Sequence, residues 1–430
     1  MRQLTYREPS MPLLLGTKGN DIMQWRASAQ LAAAVKESLA LQWAGSSQRE
    51  TQSLLERFAC QLQDELCQEA QWFRELARLH QALDAALSLD ELEPLQASYR
   101  ETVSAHFGRR QSVLAFCGTC DGWHDRVLAK AVSLAKHSAK QTGQGSGPVC
   151  ALLVSGPRGR GEQTLRGDNL YLLLHDERHP SPLPFADELT CALQHAGLLQ
   201  SKQRLWQGSL HGWQALLEAD AQTAEHRELP VPLPFEAPRQ LRAQRTLERQ
   251  WSLEAMLDLR FLQGDAPLGL RALELAARAI QLHSGRDGFL RLSRRVMGLP
   301  LATGRFGRWR LARAGEHRGE LDLEEFALGP LVMMVRILAV HAGIRTGGTV
   351  DRIQALLTGG ALDVELAARL LQAYQCFMQL KIRHEICGQG SGCFCDPQAL
   401  DEACQARLKS SVATVLNLQQ ISYQRIVGQG

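Results

Sequence analysis

Residues 149–177 read VCALLVSGPRGRGEQTLRGDNLYLLLHDE, and this stretch decides the fold. Val149–Val154 is an apolar, partly β-branched run closed by Gly156 and Pro157, as expected of a buried strand ending in a turn. Gly156, Gly159 and Gly161 let the backbone approach a ligand, because a residue without Cβ tolerates positive φ. Arg158 and Arg160 lie inside that turn, where guanidinium groups can meet phosphate oxygens bidentately. A short polar helix start is expected next. Leu170–Leu174 then predicts a second strand, with Asp168 at its entrance.

The order of residues is more specific than a glycine-rich turn. Gly156, Gly159, Arg160, Glu162, Gln163, Thr164, Leu165 and Asp168 together resemble the motif of bacterial nucleotidyltransferases related to the PII-protein uridylyltransferases. Those proteins are built on the DNA polymerase β-type nucleotidyltransferase fold. The resemblance implies that Gly156, Gly159, Arg160 and Glu162 bind the nucleotide. It also implies an Asp-x-Asp pair holding two magnesium ions. Leu253–Arg260 with Gly264 and Asp265 is similar to the family's third catalytic strand, which makes Asp258 the partner of Asp168. Asp168 and Asp258 are thus the implied catalytic and metal-binding residues. Magnesium is the implied cofactor if the chain is active, and a nucleoside triphosphate the implied substrate. A protein or small molecule would accept the nucleoside monophosphate.

Two positions depart from that pattern. Pro157 stands where the family has a serine and offers neither hydroxyl nor backbone N–H. Leu170 stands where the family has its second aspartate. Positions 168 and 170 share a strand face, so half of the chemistry is missing from a retained geometry. The expectation is a uridylyltransferase-like protein whose catalytic site is weakened or lost. The alternative is a non-catalytic, nucleotide-sensing or partner-binding regulator. The resemblance extends from about Leu83 to Ile426 and includes His317-x-Gly-x-Leu-Asp-Leu323, Arg336, Thr349 and Arg352.

Length and composition set the frame. The 430 residues are 45% hydrophobic and 22% charged, enough for two or three globular domains. A net charge of +3 gives no basis for nucleic-acid binding. Leu328–Val340, the nearest approach to a membrane span, is broken by Gly329, Pro330 and Arg336. The first residues lack the apolar core of a signal peptide. Eleven cysteines, unevenly spaced, suit a reducing cytoplasm, so a cytoplasmic location is expected.

The expected fold is α+β: a helical N-terminal region (1–110), a polymerase β-like nucleotidyltransferase domain with a small mixed sheet (111–265), and a helical C-terminal domain (266–430). Residues 20–105 repeat apolar positions at helical spacing. Cys117-Gly-Thr-Cys120 lacks a further ligand pair for zinc, and the resemblance implies that it is the lead-in to a helix over Trp123–Lys140. Trp206 and Trp213 read as core. Residues 227–238 read as a proline-extended linker, and the arginines at 239, 242, 245 and 249 as a solvated helical stripe. Cys387, Cys393, Cys395 and Cys404, near His384, have an unusual spacing for zinc and read as incidental loop cysteines.

Overall fold

The computed structural model describes residues 48–141, 149–177, 183–199, 205–223, 253–284, 287–304, 307–345, 347–388, 390 and 392–426. The arginine stripe and the proline-rich segment lie outside the described residues. The chain divides into two compact units, Met1–Arg74 and Glu75–Gly430. The described part of the first unit belongs to helix α1 (Gln48–Ala85), which runs through the unit boundary.

In the second unit, α2 (Leu92–Arg110) and α3 (Val113–Gln141) precede the sheet. Helix α3 begins well before Trp123, so the Cys117–Cys120 pair lies within it and not ahead of it. The cause is visible in the side chains. Val113, Phe116, Cys117, Cys120, Trp123 and Val127 recur at three- and four-residue steps, and all are buried. Two cysteines therefore continue an apolar face, and burial pushes both thiols up, away from the reactive thiolate. Trp123 stacks on Tyr99 with ring centroids 4.4 Å apart. Its Nε1 donates to Gln96 Oε1 at 2.7 Å, and Gln96 Nε2 donates to the Ala196 carbonyl at 2.7 Å. One buried amide thus ties α2 and α3 to the end of α4 (Leu183–His195).

The main sheet has the order β3-β2-β1-β4. Its centre is β1 (Cys150–Ser155), buried along its whole length, as its apolar run requires. β2 (Leu170–His175) and β4 (Arg260–Gly264) pair antiparallel to it, and β3 (Trp206–Ser209) pairs parallel to β2, so the sheet is mixed. Asp258 is not on a strand. A helical turn over Leu253–Met256 precedes β4, which places Asp258 in the connection between them. Leu-Glu-Ala-Met is a run of good helix formers, and the Ser155 hydroxyl anchors it by donating to the Ala255 carbonyl. After β3, α5 (Leu210–Thr223) packs on α6 (Ala266–Ser284) through fully buried Trp213, which Trp206 meets edge-on at 5.9 Å.

The C-terminal part is helical. α7 (Asp287–Met297) is followed by a two-stranded ribbon of β5 (Leu321–Asp322) and β6 (Phe394–Cys395). A π-helical turn, Glu324–Leu328, leads into α8 (Gly329–His341), then α9 (Thr349–Thr358), α10 (Val364–Ile386) and α11 (Glu402–Ile426). The fold is α+β, mostly helical with a small mixed sheet. Among the described residues, no helix is long and apolar enough to cross a membrane, and no group of three or more His, Cys, Asp or Glu could hold a metal ion. The late cysteines fall around the ribbon, where His317 stacks on Phe394 with centroids 3.7 Å apart.

Candidate functional site

Residues 156–161 form successive tight turns, not the helix start expected between the strands. Gly156 has φ +97°, and a Cβ there would stand 2.9 Å from the Asp168 carbonyl. At Gly159 a Cβ would fall 1.9 Å from the carbonyl of Asp258, so the turn lies directly on the backbone of that aspartate. The turn's amides are turned inward. Arg158 N donates to Asn169 Oδ1 at 3.0 Å, Glu162 N to the Pro157 carbonyl at 2.8 Å, and Arg160 and Gly161 to carbonyls at 3.2–3.3 Å within the turn.

The Asp258 side chain is buried and meets three guanidinium groups. Arg352 Nη1 donates to Oδ1 at 2.9 Å, Arg160 Nη1 to Oδ2 at 2.7 Å, and Arg336 Nη2 also to Oδ2. Burial alone would raise its pKa; the three cations overcome that and hold the carboxylate below its ordinary range. Arg160 also pairs with Glu162 at 2.6 Å. Burial opposes its charge, but Glu162 and Asp258 raise its pKa further. Glu162 Oε1 in turn accepts the Thr349 amide at the N-terminus of α9, a favourable end for an anion.

A second ionic group stands on the α3 side of the sheet. Arg158, with no exposed surface, pairs with Asp125 at 2.8 Å and donates to the Tyr171 hydroxyl at 2.8 Å. Arg260 joins Asp125 at 3.1 Å. Tyr171 and Arg260 both lie opposite Val154 in register, which explains why the two side chains reach the same carboxylate network.

Between these groups opens a cavity of about 790 Å³. Its described lining holds six cationic side chains, Arg100, Arg158, Arg160, Arg166, Arg336 and Lys381, against two carboxylates, Asp168 and Glu324. Lys381 pairs with Glu324 at 3.0 Å. His124 also lines it, with its Nδ1 unpartnered. Burial, then neighbouring Arg158, depress the pKa of this imidazole to about 3, so it is neutral. Arg336 is 9% exposed, and its Nε has no partner. Burial first, and the nearby Arg160, bring the Arg336 pKa down to about 10, which still leaves it charged at neutral pH.

Of the residues expected from the sequence, Gly156, Arg160 and Asp168 line this cavity. Gly159 and Glu162 are absent from the lining and face Asp258 and α9 instead. Asp258 is joined to the cavity wall through Arg160 and Arg336. Leu170 is absent from the lining and packs against the hydrophobic core. Arg100, His124 and Lys381 carry no sequence signal that marks them. Arg336 does carry one, since it is a lone charge in the apolar run Gly329–His341.

Two family models match the chain. One, described as "Putative nucleotidyltransferase DUF294", covers residues 97–227, and the other, "Putative nucleotidyltransferase substrate binding domain", covers residues 287–426. No curated protein matches it. The first match holds the turn, β1, β2 and Asp168; the second supplies Arg336 and Lys381, so the cavity is lined from both. Neither reaches Asp258. The chain thus carries, in order, the two domains described for a putative nucleotidyltransferase family.

Proposed function

We propose that this chain is a uridylyltransferase-like protein that keeps a nucleotide cleft while its transfer of nucleoside monophosphate is weakened or lost. The observation that carries the reading is the Asp258 carboxylate, whose two oxygens are taken by Arg160, Arg336 and Arg352. Nucleotidyl transfer of this type uses two magnesium ions bridged by carboxylates, one activating the attacking hydroxyl and one stabilising the leaving pyrophosphate. The donor set here does not fit such a pair. Leu170 offers no lone pair, and a metal at Asp258 would have to displace guanidinium groups and would meet their positive charge. Asp168 is the remaining carboxylate of the implied set. Losing about 4 kcal/mol of transition-state stabilisation slows a reaction roughly a thousandfold.

A regulatory role is supported by the way the turn is tied to the C-terminal helices. Glu162 accepts from Thr349, and Thr164 meets Glu385 of α10 at 2.8 Å, so a ligand that moves the turn acts on both. A protein partner would read that state. Cytoplasmic residence belongs to the same reading, for all eleven cysteines are free thiols. The test is incubation of the full chain with labelled nucleoside triphosphates, magnesium or manganese, and cell lysate. Transfer at or near background is expected. Robust transfer that disappears in Asp168→Asn would overturn the reading.

A further inference from the structure

We propose that the cleft binds a compound bearing a terminal di- or triphosphate without any divalent metal, with Arg336 as a direct phosphate ligand. This rests on the nucleotide cleft proposed above and adds its charge chemistry. Four independent features converge on it. The turn's amides at Arg158, Arg160, Gly161 and Glu162 already donate within the protein, so the turn offers little of the backbone cradle that phosphates use elsewhere. The lining itself holds six cations and two carboxylates, and the acids that pair with Arg158, Arg160 and Arg336 (Asp125, Glu162 and Asp258) stand behind it. Arg336 holds an unpartnered Nε–H in a nearly buried position on that wall, a donor whose desolvation is not compensated within the protein. Finally, Asp258 is engaged by guanidinium groups where a metal would otherwise supply positive charge.

A phosphate oxygen at the Arg336 guanidinium would add a second anion, beside Asp258, to the close pair of Arg336 and Arg160. The volume, about 790 Å³, suits a nucleotide-sized ligand. The sign of the magnesium effect follows. Magnesium complexation removes negative charge from a triphosphate, and the cavity gains nothing from the added cation, so the free anion binds better than its magnesium complex.

The test is calorimetry on the full chain with UTP, ATP and inorganic triphosphate, first in EDTA and then with excess magnesium. Binding is expected in EDTA and should weaken on the order of tenfold with magnesium. Arg336→Gln should weaken binding in EDTA on the order of tenfold, as removal of one charged hydrogen bond does. If Arg336→Gln does not fold, Arg100→Gln, an exposed position on the same wall, serves instead and should weaken binding several-fold. Binding that requires magnesium would overturn this proposal and leave the nucleotide cleft standing. No binding in either condition would overturn both. Unchanged affinity in EDTA for Arg336→Gln would overturn Arg336 as a ligand, and unchanged affinity for Arg100→Gln would overturn the cationic wall on which that role depends.

Discussion

At the scale of the residue, Gly159 and Arg336 show what sequence does and does not disclose. A glycine in the turn was legible as a close approach of backbone, and at Gly159 the group approached is the Asp258 carbonyl. Gly159→Ala is therefore expected to act on folding. With its Cβ placed 1.9 Å from backbone, the turn and the 257–259 connection must separate, at a cost of at least about 2 kcal/mol in urea unfolding. An unchanged midpoint would show that the turn and Asp258 are not in contact. Arg336 was visible as a charge interrupting an apolar run and as one of the residues shared with the resembling family. Its partners lie 78 residues earlier at Asp258, and no local pattern encodes a pair that distant.

At the scale of the element, β1 and β2 could be read closely from their apolar runs and turn residues. The start of helix α3 could not, because Cys117 and Cys120 were set in a lead-in and not counted as small apolar side chains of its buried face. The position of Asp258 was misread for a different reason: resemblance placed it on a strand, while local propensity forms a helical turn ahead of β4. The α2–α3–α4 packing has its own test at Gln96. Gln96→Ala leaves the Trp123 Nε1 donor and the Ala196 carbonyl unpaired in the core. The expected loss is about 2–3 kcal/mol by denaturant melting, against about 1 kcal/mol or less if water satisfies both groups.

At the scale of the whole molecule, the turn and the C-terminal helices meet through acids that respond to pH. Burial pushes Glu385 up from 4.5 to about 7, against the pull of Lys381. Because the folded pKa is raised, its contribution is fully present below the unfolded pKa of 4.5 and is lost as pH rises through 7. Glu385→Gln keeps the hydrogen bond to Thr164 and removes the titration. It should stabilise the protein at pH 8 by about 3 kcal/mol relative to the parent, with the advantage fading toward pH 4.5. An advantage independent of pH would show that Glu385 titrates normally.

The α+β class was legible because it rests on many residues, whereas the cleft depends on a few contacts between segments far apart in the chain. The claim on which the rest depends is that Asp258 is the buried counter-ion of three arginines. Its most direct measurement is the unfolding free energy of Asp258→Asn in EDTA and in excess magnesium. Removing the carboxylate leaves Arg160, Arg336 and Arg352 facing one another, so a loss of about 3–5 kcal/mol is expected, the same with and without magnesium. A variant as stable as the parent in EDTA, with magnesium stabilising only the parent, would make Asp258 a metal ligand and contradict the account.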